Sequence, residues 1–231
     1  MTSATQVYPA ATHETLPPAA PHPSLGSGWK RCIDIVSAAL ALTLGLPVGL
    51  VIGIAIAVTS PGPVLFRQQR VGLNGRRFTV WKFRTMTVEA TDEPHRDYVL
   101  TMIRDTHRAK GNGSFKLDAD IRITHFGAWL RKTSLDEYPQ FMNVIRGEMS
   151  LVGPRPPLDY EVDAYEPWQL ERLSVRPGIT GWWQVSGRNC MSYVQMCERD
   201  IEYVRGWSVR WDLSIIARTP WVMLSNSGRA A

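Results

Sequence analysis

Between Asp34 and Glu89 the sequence contains no acidic residue, although Arg67, Arg70, Arg76, Arg77, Lys82 and Arg84 fall inside that interval. So lopsided a stretch points to an anionic partner: phospholipid headgroups, a nucleotide or a nucleic acid. Cysteine is scarce as well. Cys32, Cys190 and Cys197 are too few and too scattered for a disulfide framework, and no Cys-x-x-Cys or Cys/His spacing suggests a zinc site. A reducing compartment follows, with the bulk of the chain in the cytosol. Residues 1–28 lack a basic segment followed by an apolar core, which excludes a secretory signal peptide. They are rich in Pro, Ala, Ser and Thr with no apolar period, and a disordered tail is expected there.

What the sequence does have is apolar residues concentrated in one place. Residues 32–58, "CIDIVSAALALTLGLPVGLVIGIAIAV", carry one charge, Asp34. As a continuous helix this run would reach about 40 Å, more than a bilayer core needs, and a chain of 231 residues is small for a buried helix of that length. The segment therefore meets a membrane. Pro47 lies in its middle among Gly45, Gly49 and Gly53, and a proline there removes one helical hydrogen bond and bends the axis. Lys30 and Arg31 precede the run while Arg67, Arg70, Arg76 and Arg77 follow it, so both ends ask for the cytoplasmic side. A re-entrant helix broken at Pro47 satisfies both ends; a straight span satisfies one.

Further elements can be placed coarsely. "VLFRQQRVGL" and "RRFTVWKF" flank Asn74-Gly75 and predict a β-hairpin. Residues 87–118 are polar and read as helix plus loop, with a flexible turn at 110–114. An amphipathic helix is expected over 122–132 and a short helix closed by Gly147 over 139–147. Residues 153–161 form a proline-stiffened loop carrying Arg155, and 176–189 bring Arg176 and Arg188 among glycines. A last helix over 211–224 has an apolar stripe of Leu213, Ile216, Ala217, Trp221 and Leu224. Trp207, Trp211 and Trp221 suit either a membrane interface or the core, and both readings stay open.

The one pair of adjacent carboxylates that stands out is in "RKTSLDEYPQ", residues 131–140. Ser134 and Glu137 have the spacing of a capping box, and acids at a helix N-terminus sit well against the macrodipole. Chemistry is compatible with that. Arginine forks in Gly/Pro-stiffened loops suit phosphate oxygens, which makes Arg131, Arg155, Arg176 and Arg188 candidates for a polyanionic site. Magnesium would take carboxylate oxygens from Asp136 or Glu137, and a carboxylate can also attack phosphorus to form an acyl-phosphate.

Taken in order, "KRCIDI…P", "QQRVGLNGRRFTVWKFRTM", "LRKTSLDEYPQFMNVIRGEMSLVGPRP" and "VRPGITGWWQVSGRN" closely resemble the bacterial sugar transferases. The likeness runs from about Lys30 to Leu224 and rests on several independent motifs. It implies a monotopic enzyme that moves a sugar-1-phosphate from a UDP-sugar to undecaprenyl phosphate with Mg2+, releasing UMP, as the first membrane step of exopolysaccharide assembly. It implies Asp136 as nucleophile, Glu137 serving metal or proton, both as metal ligands, and Arg131 beside phosphate. Lys82 and Arg84 match the "KFRTM" block, and Arg155 matches a Pro-Arg-Pro loop. Two departures stand out. Leu46 precedes Pro47 where the family has serine, with Thr43 one turn earlier as a substitute, and Tyr138 follows the acidic pair where leucine is usual.

The expectation is thus an α+β, mainly helical chain: a tail (1–28), a re-entrant membrane helix (29–59) and a compact cytosolic transferase domain (60–225) with a small hairpin and amphipathic interfacial helices. Its place would be the cytoplasmic face of the inner membrane, with galactose or glucose as the sugar, membrane lipid as partner, no nucleic acid, and a homo-oligomer left open. Three other readings compete. A membrane-tethered nucleic-acid binder lacks any recognisable motif for it and leaves the acidic pair without a purpose. A non-catalytic assembly scaffold would not need the pair. A glycosyltransferase moving the sugar alone would release UDP.

Overall fold

The computed structural model describes residues 28–87, 93–104, 122–187 and 191–226. Readings made above for the tail, for most of the 87–118 insert and for Arg188 lie outside these residues. The described part is mainly helical with two small two-stranded sheets.

Helix α1 (Gly28–Thr59) contains the apolar run and continues through Pro47 without interruption. The gap in helix expected at the proline is absent, because a proline deletes one hydrogen bond without obliging the neighbouring residues to leave helical geometry. The helix is long and apolar enough to cross a membrane, with mean hydropathy 2.4 in its most apolar stretch. One of its faces is packed against the rest of the protein. Lys30, Asp34, Ala38, Ile52 and Ile56 are all buried, and they recur at the spacing of one helix face. Ala38 belongs to the main core with Val80, Val144, Val152 and Ile215, while Ile52 and Ile56 join Phe83 and Leu130 in a second. Both ends of α1 therefore rest on the same globular unit. The opposite face, including Val36, Leu40, Leu44, Val51 and Val58, is exposed.

The charges flanking and entering the run are used for this docking. Lys30 Nζ pairs with Asp212 Oδ2 at 2.7 Å, Arg31 Nη2 donates to the Ile145 carbonyl at 3.0 Å, and the Leu151 amide donates to Asp34 Oδ1 at 3.1 Å. Asp212 also accepts from Tyr203 and Trp207. A buried charge is tolerable only when so surrounded.

The predicted hairpin is present: β1 (Leu65–Val71) pairs antiparallel with β2 (Arg77–Phe83), and Asn74 and Gly75 adopt the positive φ that the turn requires. α2 (Glu93–Arg104) follows, then α3 (His125–Thr133), whose first turn is capped by Thr124 accepting from the Gly127 amide. α4 (Gln140–Arg146) ends at Gly147 in the left-handed region, as read from the sequence. β3 (Ser150–Val152) leads through the proline loop to α5 (Asp159–Asp163) and pairs in parallel with β4 (Gly178–Thr180). α6 (Trp182–Gly187), α7 (Tyr193–Gly206) and α8 (Val209–Asn226) are the last elements of the described residues.

The tryptophans divide. Trp207 and Trp211 pack against the core, whereas Trp221 is 76 % exposed. On α8 the buried side is Asp212 and Ile215; the apolar residues Leu213, Ile216, Ala217 and Trp221 face outward.

Candidate active site

The acidic pair lies on a short 3-10 turn, Leu135–Glu137, between α3 and α4. The capping box expected from Ser134 and Glu137 does not form. Ser134 sits at φ 55° and its amide closes α3 on the Leu130 and Arg131 carbonyls, so its side chain caps nothing. Glu137 instead pairs with Lys82 Nζ at 2.7 Å. With α4 beginning only at Gln140, the carboxylates do not sit in the first turn of a regular helix, and the macrodipole argument loses its object.

The site is assembled from β2 and α3. Lys82 projects from β2 to Glu137, and the pair is partly open to solvent. Asp136, next in the chain to Glu137, is buried at 8 % exposure. Arg131, in the last turn of α3, donates from Nε to Thr85 Oγ1 at 2.8 Å, which brings it to the strand end carrying Lys82 and Arg84. This approach depends on Gly127. A Cβ there would lie 2.1 Å from the Thr85 carbonyl oxygen, so only glycine lets α3 settle on the strand. Thr124 N donates to the same carbonyl at 3.1 Å.

The other predicted phosphate ligands are placed differently. Arg84 is buried and its guanidinium donates to the Ser60 and Pro61 carbonyls at 2.6 and 2.8 Å, ending α1 rather than reaching Glu137. Arg176 Nε donates to the Gly147 carbonyl at 2.9 Å, at the end of α4. Arg155 Nη1 contacts both Glu161 oxygens, at 3.2 and 3.0 Å. Lys82 thus meets Glu137, the neighbour of Asp136, and Arg131 meets Thr85 three residues past Lys82, while Arg84, Arg155 and Arg176 hold loops and helix ends.

Arg155 opens into a buried network. Glu161 also accepts from Tyr193, and Arg172 donates twice to Asp200 Oδ2, at 2.9 and 2.7 Å. Burial pulls the Glu161 carboxyl upward, but Arg155, Arg70 and Arg172 outweigh it and hold the group below its ordinary value. Burial would lower the Arg155 pKa too; the facing Glu161 charge reverses that. For Asp200 desolvation prevails over Arg172, and its pKa is pushed up to about 6. Cys197, beside Gln169 and Arg172, is raised by burial to about 11.

Several residues of the site were not singled out from the sequence. Thr85 lies inside the "KFRTM" block, but its hydroxyl is marked only by the fold, where it accepts from Arg131. Thr180, Gln184, Thr219 and Met223 line a small groove that begins at Ser134 and Glu137, and the Thr180 and Thr219 hydroxyls lie 2.9 Å apart. No local signal marks them, since they come from β4, α6 and α8. Among the described residues no cluster of three or more His, Cys, Asp or Glu could enclose a metal. Magnesium does not demand one: a carboxylate or two with substrate phosphates and water meets its preference, and Asp136 and Glu137 supply that donor type.

Comparison with known proteins agrees with the motif reading. The bacterial sugar transferase family model matches residues 25–226. The chain is 41 % identical over 200 residues to the galactosyl transferase CpsE of Streptococcus agalactiae, covering 86 % of this chain and 43 % of that protein. It is 42 % identical over 202 residues to the exopolysaccharide production protein ExoY of Rhizobium meliloti, covering 87 % and 88 %. With the UDP-glucose:undecaprenyl-phosphate glucose-1-phosphate transferase of Escherichia coli it shares 42 % over 199 residues, covering 82 % and 39 %. It therefore spans nearly all of ExoY but less than half the length of the other two. A match over most of the chain and several relatives near this identity lead to one conclusion: the chain belongs to the bacterial sugar transferase family.

Proposed function

We propose that this protein transfers a sugar-1-phosphate from a UDP-sugar to undecaprenyl phosphate at the cytoplasmic face of the inner membrane, releasing UMP and starting exopolysaccharide assembly. The observation that carries the reading is the buried Asp136 beside the Lys82–Glu137 ion pair, on a turn held against the apolar helix α1. A phosphoryl-transfer site needs an anionic nucleophile, cations for the phosphates and closeness to the lipid, and this arrangement supplies all three.

In the proposed first step an Asp136 carboxylate oxygen attacks the sugar-bearing phosphorus. The bond from that phosphorus to the bridging oxygen breaks, and UMP leaves with the electron pair. In the second a phosphate oxygen of undecaprenyl phosphate attacks the same phosphorus, and the Asp136 carboxylate departs. In this scheme each nucleophile attacks as an anion, and neither step requires a proton to be removed. Lys82 and Arg131 offset charge on the phosphoryl group. Arg84, Arg155 and Arg176 act at one remove, holding the strand end, the proline loop and the end of α4. Mg2+, when bound, would be held by Asp136 and Glu137 and would neutralise pyrophosphate charge.

The membrane reading follows from α1. Its inner face packs on the domain near both ends while the opposite apolar face is exposed, and this supports a helix that enters and leaves the bilayer on one side. Galactose and glucose are the favoured sugars, consistent with the names of CpsE and the Escherichia coli relative. The test is the nucleotide released from a UDP-sugar panel with undecaprenyl phosphate and Mg2+, run beside Asp136→Asn. UMP from the wild type and none from the variant is expected; UDP, or equal turnover by the variant, overturns the mechanism.

A further inference from the structure

Tyr138 is the residue next to Glu137, and its amide closes the 3-10 turn on the Leu135 carbonyl at 3.2 Å. Its side chain leaves the turn toward α1. One side of the ring stacks on Phe83, with centroids 6.3 Å apart and planes 5° from parallel. Phe83 follows Lys82 in β2, so the Lys82–Glu137 ion pair and the Phe83–Tyr138 stack are adjacent rungs between the same two segments. The ring also lies on Gly45 and Gly49, one turn apart on α1 with Pro47 between them. A Cβ on Gly45 would stand 2.4 Å from Tyr138 Cε2, and one on Gly49 would stand 2.9 Å from Cε1. Finally the hydroxyl donates to the Leu42 carbonyl at 2.7 Å.

That hydrogen bond falls one residue before the carbonyl that Pro47 leaves without a helical donor. Pro47 has no amide to offer the Thr43 carbonyl, and the helical ladder is thinned in this turn. The Thr43 hydroxyl does not compensate, since it bonds to the Ala39 carbonyl one turn earlier, at 2.9 Å. The Tyr138 phenol reaches the same turn from outside the helix. Two glycines give the ring its seat, a carbonyl in the proline turn holds its tip, and its backbone is continuous with the acidic pair.

We infer that Tyr138 is a positioning residue that couples the acidic turn to α1 at Pro47, so that the placement of Asp136 and Glu137 depends on how α1 lies. Bending or sliding of α1 at the proline moves the ring, and the ring moves Glu137 against Lys82. The helix that meets the lipid thereby sets the geometry of the groups that act on its phosphate. The kinetic consequence rests on the proposed transfer reaction; the mechanical coupling does not.

The experiment uses the full chain in nanodiscs and hydrogen–deuterium exchange as a readout independent of turnover. Gly45→Ala forces the ring off its seat and is expected to speed exchange at least about tenfold both in the 135–138 turn and in α1 around Pro47. Exchange in α7 (Tyr193–Gly206) should stay at the wild-type rate, which shows that the domain is folded. Adding Tyr138→Leu to Gly45→Ala removes the clash and should restore slow exchange in the turn. Tyr138→Phe, which loses the hydroxyl alone, should loosen α1 around Pro47. In the transfer assay Gly45→Ala should lower kcat about 10- to 100-fold with KM for the UDP-sugar changed by less than about twofold, the signature of misplaced reacting groups. Unchanged exchange at 135–138 in Gly45→Ala, or no relief from the second substitution, overturns the coupling. Wild-type kcat in a Gly45→Ala protein whose turn has loosened overturns the positioning role. A wild type without turnover on any UDP-sugar sinks the transferase reading, and the exchange data still decide the coupling.

Discussion

Asp34 and Leu151 are separated by 117 positions in sequence, yet the carboxylate of one accepts the backbone amide of the other at 3.1 Å. The lone acid of an otherwise apolar helix is thus a docking group, satisfying an amide of β3 that the core would otherwise strand. Asp34→Leu makes α1 more hydrophobic and should still destabilise the protein by about 1–3 kcal/mol, because the Leu151 amide loses its acceptor inside the core. Thermal unfolding in detergent reads this directly, and an unchanged midpoint would refute it.

The Lys82–Glu137 pair makes a prediction about catalysis rather than stability. Lys82→Met should cut turnover by about 100- to 1000-fold, the usual effect of removing one cation or donor from developing charge. Its melting temperature should barely move, because the pair is partly exposed and such pairs contribute little to folding. Comparable losses in Tm and activity would mean that Lys82 is only a strut.

Glu161 should reveal itself through pH. Its folded pKa is depressed below 4.5, so its stabilisation is fully present above that value and is lost as pH falls through the lower folded value. Glu161→Gln, which removes the buried carboxylate facing the half-buried Arg155, should cost up to about 3 kcal/mol at neutral pH. The gap between wild type and variant should close as pH drops below 4.5. Denaturant titrations at pH 7 and pH 4 test this, and a pH-independent gap would show that the charge is not what matters. Asp200, raised to about 6, has the opposite sign but is present in both proteins and cancels from the difference.

Cys197 should resist alkylation in the folded protein. It is fully buried and its pKa is raised to about 11, which leaves little thiolate at pH 8. Cys32 is exposed on α1 and should react in detergent. Mass spectrometry after a maleimide pulse distinguishes the two, and rapid labelling of Cys197 would mean that α7 opens easily.

Local features of the fold were legible in the sequence. Asn74-Gly75 announced the hairpin and Gly147 the end of α4, because positive φ is demanded at those positions and few residues accept it. The acidic pair was legible as chemistry but not as geometry: Ser134 has the composition of an N-cap yet serves as the left-handed end of α3. The α8 stripe was read correctly as helical, but its buried side is the one bearing Asp212, whose partner Lys30 lies 182 residues away. Arg84 and Arg176 fell beyond sequence reasoning for the same cause. A guanidinium bound to backbone carbonyls leaves no trace in residue types, since every residue has a carbonyl.

The helix α1 also sets a limit on how this protein can be made tractable. Cutting the chain after Thr59 would strip Ala38 from one core, Ile52 and Ile56 from another, and leave Asp212 without Lys30. A truncated protein is therefore a damaged one, not a solubilised one. The route to a water-soluble form runs through the outward stripe, where Val36, Leu40, Leu44, Val51 and Val58 can be repainted with polar side chains while the inner face stays as it is.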